Sequence, residues 1–155
     1  MASQDERKAT YAEYVIVDNS RRVAEISALL GLQPTFAHDV GDTYEFYQGI
    51  NGPMIGVRAL CCWYYSTVGL VEGDEMDPHL EFLLAALEPC AAQIAMILQT
   101  PGARATLWIR HAEEGRFAIS SPVLARIAKL TSWISVTPEF DQPGDEPEIA
   151  TQPRT

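Results

Sequence analysis

An α+β domain, with a mostly antiparallel sheet and about three helices packed on one of its faces, is the fold class that this sequence of 155 residues predicts. Three observations carry the prediction. Strand-like segments come in pairs between the helical ones, without the strict alternation that a parallel sheet needs. The helices start and stop on clear signals. One apolar stripe, near the middle of the chain, is long enough to serve as the main core helix.

The segment Tyr11 to Asp18 is rich in aromatic and β-branched residues and reads as a strand, with Asn19-Ser20 offering an N-cap to the first helix. Val23, Ile26, Leu29 and Leu30 then recur at helical spacing. Gly31 can take the left-handed C-cap conformation, and Pro34 prevents continuation. Thr43 to Tyr47 alternates, a turn falls at Asn51-Gly52-Pro53, and Ile55 to Val68 reads as one long apolar strand, the central member of a hairpin. Asp77-Pro78 is a helix start, the carboxylate capping the first N–H groups. Leu80, Leu83, Leu84, Leu87, Ala91, Ile94 and Leu98 trace one stripe, in which Pro89 predicts a kink or restart near Glu88.

In the last third, Ala105, Leu107 and Ile109 alternate with Thr106, Trp108 and Arg110, and Glu114-Gly115 turns into a strand over residues 116–119. Ser120 or Ser121 with Pro122 opens a third helix carrying Leu124, Ile127 and Ala128, and Trp133 to Val136 returns as a strand. The expected order is therefore βαββαββαβ, with βαβ units at both ends that hint at a ferredoxin-like pseudo-repeat. Residues 10–140 form the single domain. Residues 1–9 and the acidic, proline-containing residues 141–155 have too little apolar surface to offset the entropy of ordering, and both are expected to be disordered tails.

The net charge of −10 is unevenly spread. Glu139, Asp141, Asp145, Glu146 and Glu148 against Arg154 place −4 of it after residue 138. Glu72, Asp74, Glu75, Asp77 and Glu81 concentrate more within a stretch from Arg58 to Arg104 that has no Lys or Arg between its ends. Such a field repels phosphate backbones and attracts basic proteins, so nucleic acid is disfavoured as a partner. No apolar run is expected to reach the roughly 20 residues of a bilayer-spanning helix, and a cytoplasmic protein without membrane contact is expected. The three cysteines, Cys61, Cys62 and Cys90, read as small buried hydrophobes in a reducing compartment.

The helix ending Leu30-Gly31-Leu32-Gln33-Pro34, then Gly41-Asp42, Trp63 after a strand, Leu80 to Pro89, and Phe117-Ala118-Ile119-Ser120 before Leu124 to Ala128 together resemble the bacterial family called domain of unknown function 4279, over roughly residues 10 to 140. The sequence departs from that pattern at Leu130-Thr131-Ser132-Trp133, where a helix-ending glycine is expected. The resemblance implies no activity, cofactor or catalytic residue.

The chemistry-bearing residues form two constellations. His38, Asp39 and Asp42 share the loop after the first helix, where an imidazole and carboxylates can make an acid/base pair lining a pocket. Trp63 and Tyr65 lead into Glu72, Asp74, Glu75 and Asp77, a grouping of aromatics and acids suited to a basic protein partner. His38, His79 and His111 have no metal-ligand spacing and the cysteines complete none, so neither metal nor cofactor is expected. The resulting expectation is a non-catalytic protein-interaction domain, immunity-like in binding a basic partner. The alternative is a small-molecule-binding protein or small enzyme using the pocket near His38 and Asp42, and self-association is left open.

Overall fold

The computed structural model describes residues 10–47, 52–111 and 118–137. In chain order the elements are β1 (Tyr11–Val17), α1 (Val23–Leu30), β2 (Phe36–His38), β3 (Thr43–Tyr47), β4 (Pro53–Val57), β5 (Cys62–Ser66), α2 (Met76–Leu87), a 3₁₀ turn (Glu88–Cys90), α3 (Ala91–Leu98), β6 (Arg104–Arg110), α4 (Ser121–Ile127) and β7 (Trp133–Thr137). A five-stranded sheet has the order β2-β5-β1-β6-β7, and β3-β4 form a separate two-stranded sheet. All pairings are antiparallel except β6 with β7. The molecule is thus α+β with a mixed, largely antiparallel sheet.

Alternation assigns the two faces of the large sheet. Ala12, Tyr14 and Ile16 of β1 lie level with Trp63 and Tyr65 of β5 and with Ala105, Leu107 and Ile109 of β6, and this face meets the helices. Val15, Val17, Cys62 and Tyr64 form a second, smaller apolar cluster on the opposite face. The main core lies between β1, β5 and β6 on one side and α2 on the other, with Leu80, Leu83, Leu84, Leu87, Ile94 and Ile97 almost wholly buried. At about 25 cal/mol per Å² of apolar surface, such a row of leucines dominates the burial energy of the fold.

Pro89 acts as expected: the helix breaks into the 3₁₀ turn at Glu88 and restarts. The break rotates the buried stripe to Cys90, Ile94 and Ile97, leaving Ala91 exposed and Leu98 half-buried. Taken end to end, Met76 to Leu98 is long and apolar enough to cross a bilayer by length and composition, contrary to the expectation that no such run exists. Here its inner side packs on β1.

Other expectations require correction. Residues 55–68 are two strands in different sheets, because the backbone turns at Arg58: its N–H donates to the Asp42 carbonyl (2.7 Å) and its carbonyl accepts from Gly41 N–H (2.9 Å). The expected turn at residues 51–53 falls partly outside the described residues, but the hairpin itself forms, with Glu45 opposite Ile55. Ala118 and Ile119 belong to no strand, and the rest of the expected strand over 116–119 lies outside the described residues, as do both tails. Of the residues expected inside at the third helix, Ile127 is buried, while Leu124 and Ala128 are exposed; Val123 of α4 and Leu130 just after it are buried instead.

Local chemistry explains the helix ends. Gly31 takes φ 66° and closes α1. At its start Asn19-Ser20 do not cap; the N-cap is Arg22, whose N–H donates to Glu25 Oε2 at 2.7 Å. Asn19 instead accepts from Cys61 N–H (2.9 Å), and Ser20 bonds the Asp18 carboxylate. Helix α2 begins at Met76, whose side chain is buried, so Asp77 lies inside the first turn rather than at the cap. Without a glycine after α4, the turn into β7 is held by Thr131 Oγ1 donating to the Ala105 carbonyl (2.9 Å), by Ser132 N–H donating to the same oxygen (2.9 Å), and by the Tyr14 hydroxyl donating to the Leu130 carbonyl.

Candidate functional site

The loop of His38, Asp39 and Asp42 is committed to holding the chain in place. Asp39 Oδ1 accepts the Val23 N–H at 2.8 Å, capping the first turn of α1 from a distant part of the sequence, and lies 3.5 Å from Cys61 Sγ. Burial, together with the neighbouring Asp39 carboxylate, pushes the Cys61 thiol up to about 12, which leaves it unreactive at neutral pH. Asp42 Oδ2 accepts the Asp39 N–H at 2.7 Å, and its backbone anchors Arg58. His38 is buried on the face of the sheet opposite the helices, with Nδ1 2.9 Å from the Leu60 carbonyl oxygen and its ring against Phe36 and Tyr64.

The second constellation divides. Trp63 has no exposed surface: its indole N–H donates to Ser27 Oγ (3.1 Å), and its ring stacks on Tyr65 with centroids 5.9 Å apart. It presents nothing to a partner and is core. Tyr65, half-buried, stacks in turn on Phe82 at 6.3 Å. The row runs from the core toward the surface.

Beyond Ser66 the chain forms a loop whose shape is fixed from inside. Thr67 Oγ1 accepts the Ala12 N–H (3.0 Å) and lies 2.7 Å from His79 Nδ1, while His79 Nε2 lies 3.1 Å from the Gly73 carbonyl oxygen. The Thr67 hydroxyl also donates to the Ala12 carbonyl (3.2 Å), so it ties β1 to the buried His79 ring. Gly69 and Gly73, at φ 69° and 101°, supply the left-handed turns. His79 belongs to no sequence motif, yet its i+4 and i+8 neighbours Leu83 and Leu87 are core residues, a spacing that places it on the buried side of α2.

With its base held, the loop turns Val68 and Leu70 outward, each 56% exposed, beside exposed Glu72, Asp74 and Glu75. Asp77 is half-buried and accepts the Ser120 N–H at 3.3 Å. Other acids are differently employed. Arg126 donates to Glu81 (2.8 and 2.9 Å) and to Glu88 (2.7 Å twice), and this holds the Glu88 carboxyl below its ordinary value. Asp18, Glu25, Asp39 and Asp42 are engaged in turns and caps. Glu72, Asp74 and Glu75 are exposed and follow the exposed Val68 and Leu70 in sequence, much as exposed Glu45 faces exposed Ile55 across the β3-β4 hairpin.

Among the described residues, no group of three or more His, Cys, Asp or Glu side chains is placed to share a metal ion. A cavity lined by Tyr14, Leu80, Leu83, Leu84, Leu87, Leu107, Ile127 and Leu130 is apolar and about 10 Å³, too small for a substrate. Compared with known proteins, the sequence matches the family model described as "Domain of unknown function (DUF4279)" over residues 8–141. No curated protein and no solved structure matches it.

Proposed function

From the premise that the chain belongs to the domain of unknown function 4279 family, we propose that it is a non-catalytic, cytoplasmic protein-interaction domain that captures a basic protein, in the manner of a bacterial immunity protein. The observation that supports this reading is the surface of residues 68–75, where Val68 and Leu70 are exposed next to Glu72, Asp74 and Glu75. Apolar side chains bordered by like charges match what a specific interface needs: area that excludes water at the centre, and a charged rim that sets partner choice and encounter rate. Tyr65 precedes this segment in sequence and Asp77 follows it.

The test is capture of partners from a lysate of the source organism, followed by association kinetics of the captured protein with wild type and with the Glu72→Gln, Asp74→Asn, Glu75→Gln, Asp77→Asn chain. Association should slow about tenfold at low salt in the variant, and the wild-type rate should fall as salt rises. Asn at 77 keeps an acceptor for Ser120, so the fold is spared. Equal rates for the two chains at low salt refute the proposal.

A further inference from the structure

His79 and Thr67 are both wholly enclosed. Among the described residues the ring has two polar contacts, Nδ1 to Thr67 Oγ1 at 2.7 Å and Nε2 to the Gly73 carbonyl oxygen at 3.1 Å. A carbonyl oxygen only accepts, so Nε2 carries a proton whenever this contact is kept. Nδ1 is different. Its partner is a hydroxyl, which can donate or accept, and which already accepts the Ala12 N–H at 3.0 Å. The single proton of that hydroxyl has two acceptors within reach, Nδ1 and the Ala12 carbonyl oxygen at 3.2 Å.

These contacts are complete in two arrangements of protons. With the ring neutral, the hydroxyl proton lies toward Nδ1. With the ring charged, Nδ1–H donates to Oγ1 and the hydroxyl turns its proton to the Ala12 carbonyl, which also accepts the Thr67 N–H at 3.0 Å. The passage between them rotates one hydroxyl and moves no other heavy atom. Histidine is the side chain that ordinarily changes charge between pH 5 and 8. A buried polar group is costly only when a proton it gains finds no acceptor, and here the acceptor is already in place.

The neighbours decide what such a charge acts on. Gly73 stands between Glu72 and Asp74, both exposed, and exposed Glu75 is the N-cap of α2. Asp77, on the ring's own helix, is half-buried and accepts the Ser120 N–H. On β1, Tyr14 shares the helix side of the sheet, its hydroxyl committed to the Leu130 carbonyl, while Glu13 lies on the other face. On β6 the residue level with Ala12 is the apolar Ile109, and on α4 Arg126 is held by Glu81 and Glu88. Burial and the N-terminal end of α2 weigh against a charged ring; the two acceptors and the carboxylates of the loop weigh for it.

We propose that His79 is a charge switch beneath the acidic loop: it takes up a proton in place as pH falls, and lowers the negative field of residues 68–75 by one charge while their shape stays fixed. As regulation of partner capture this rests on the proposed function. As a property of the loop it does not, and the test addresses the loop alone.

The full-length protein is followed from pH 8 to pH 5 by nitrogen NMR of the imidazole. The expected result is an Nε2 signal of the protonated kind throughout, an Nδ1 signal that passes from the acceptor to the protonated kind, and unchanged amide exchange at residues 69–75. A cationic nitroxide then reads the field. Its relaxation of the Leu70 and Glu72 amides should fall about twofold between pH 8 and pH 5.5, the effect of one charge at about 8 Å in water, and should stay nearly constant in His79→Gln. Thr67→Val, which cannot exchange a proton with Nδ1, should remove the Nδ1 transition from this range, and Thr67→Ser should keep it. A wild-type ring that stays in one charge state from pH 5 to 8, a neutral ring protonated on Nδ1, a loop that loses exchange protection on acidification, or a nitroxide effect that ignores pH each overturns the proposal. Where a variant does not fold, the wild-type measurements decide on the same criteria.

Discussion

Asp18 shows how one side chain can close a whole corner. Nearly devoid of exposed surface, it accepts from Ser20 N–H at 2.9 Å, from Ser20 Oγ–H at 2.6 Å and from the Arg21 guanidinium, which also reaches Thr100 Oγ1 at 2.9 Å. Burial alone raises its carboxyl, but the hydrogen bonds of Ser20 and Arg21 and the charge of Arg21 outweigh it, and the net position is below the ordinary value. A carboxyl lowered by folding contributes stability that is present above its unfolded pKa and lost as pH falls through the folded one. Asp18→Asn should therefore cost about 2–3 kcal/mol at pH 7, and the deficit should close as pH falls toward about 3; urea titrations at a series of pH values measure it. A constant deficit at every pH would mean that shape and not charge matters here. The functions of Asp39 and Asp42 are invisible in sequence for a related reason. Asp39 looks like half of an acid/base pair with its neighbour His38, and only the folded chain brings it to the N–H of Val23.

At the scale of elements, α2 is the piece whose loss the fold cannot absorb. Leu83 and Leu87 are each about 2% exposed in the core against the sheet. Leu83→Ala or Leu87→Ala should each cost about 2–5 kcal/mol, the transfer energy of the lost atoms plus the cavity left behind. Chemical denaturation checks it, and less than about 1 kcal/mol for both would show that the stripe does not face the core. That stripe, the break at Pro89 and the Gly31 stop are legible in the sequence because periodicity and backbone chemistry are local. The division of residues 55–68 is not, since Arg58 to Cys61 carries neither Gly nor Pro and the break is imposed by Asp42 and Asn19 from elsewhere in the chain. The short strand β2 escapes a sequence reading because only Cys62, Trp63 and Tyr64, far along the chain, make it a strand.

Across the whole molecule, composition reveals the amount of charge but not its placement. Arg126 draws Glu81 and Glu88 together, and this removes two acids from a surface that in the linear sequence forms one continuous field with Glu72 to Asp77. The charge that remains is uncompensated, so self-repulsion should lower stability at low ionic strength. Raising NaCl from about 0.02 to 0.5 M should raise Tm by about 2–4 °C, corresponding to about 0.5–1 kcal/mol, and the chain with four neutralised loop residues should respond less. A Tm that falls with salt would show that the exposed Arg126 pairs outweigh the repulsion. The pairing of β6 with β7 is also beyond the reach of sequence, because strand direction depends on where α4 returns the chain, which residue pattern does not encode.

The position of β1 has a consequence for synthesis. Of the described strands it is made first, yet in the finished sheet it lies between β5 and β6, with Val17 against Cys62 on one edge and against Arg104 on the other. Until residues 62–66 emerge, the apolar run Tyr14 to Val17 has no edge to pair with, and its second edge stays open until residues 104–110 follow. Helix α1 and the β3-β4 hairpin can form early from local contacts, but the sheet cannot close around β1 before residues 104–110 have been made. For that interval the nascent protein presents a β-branched, nearly uncharged segment, and this is the part that chaperones must shield and that aggregation would recruit.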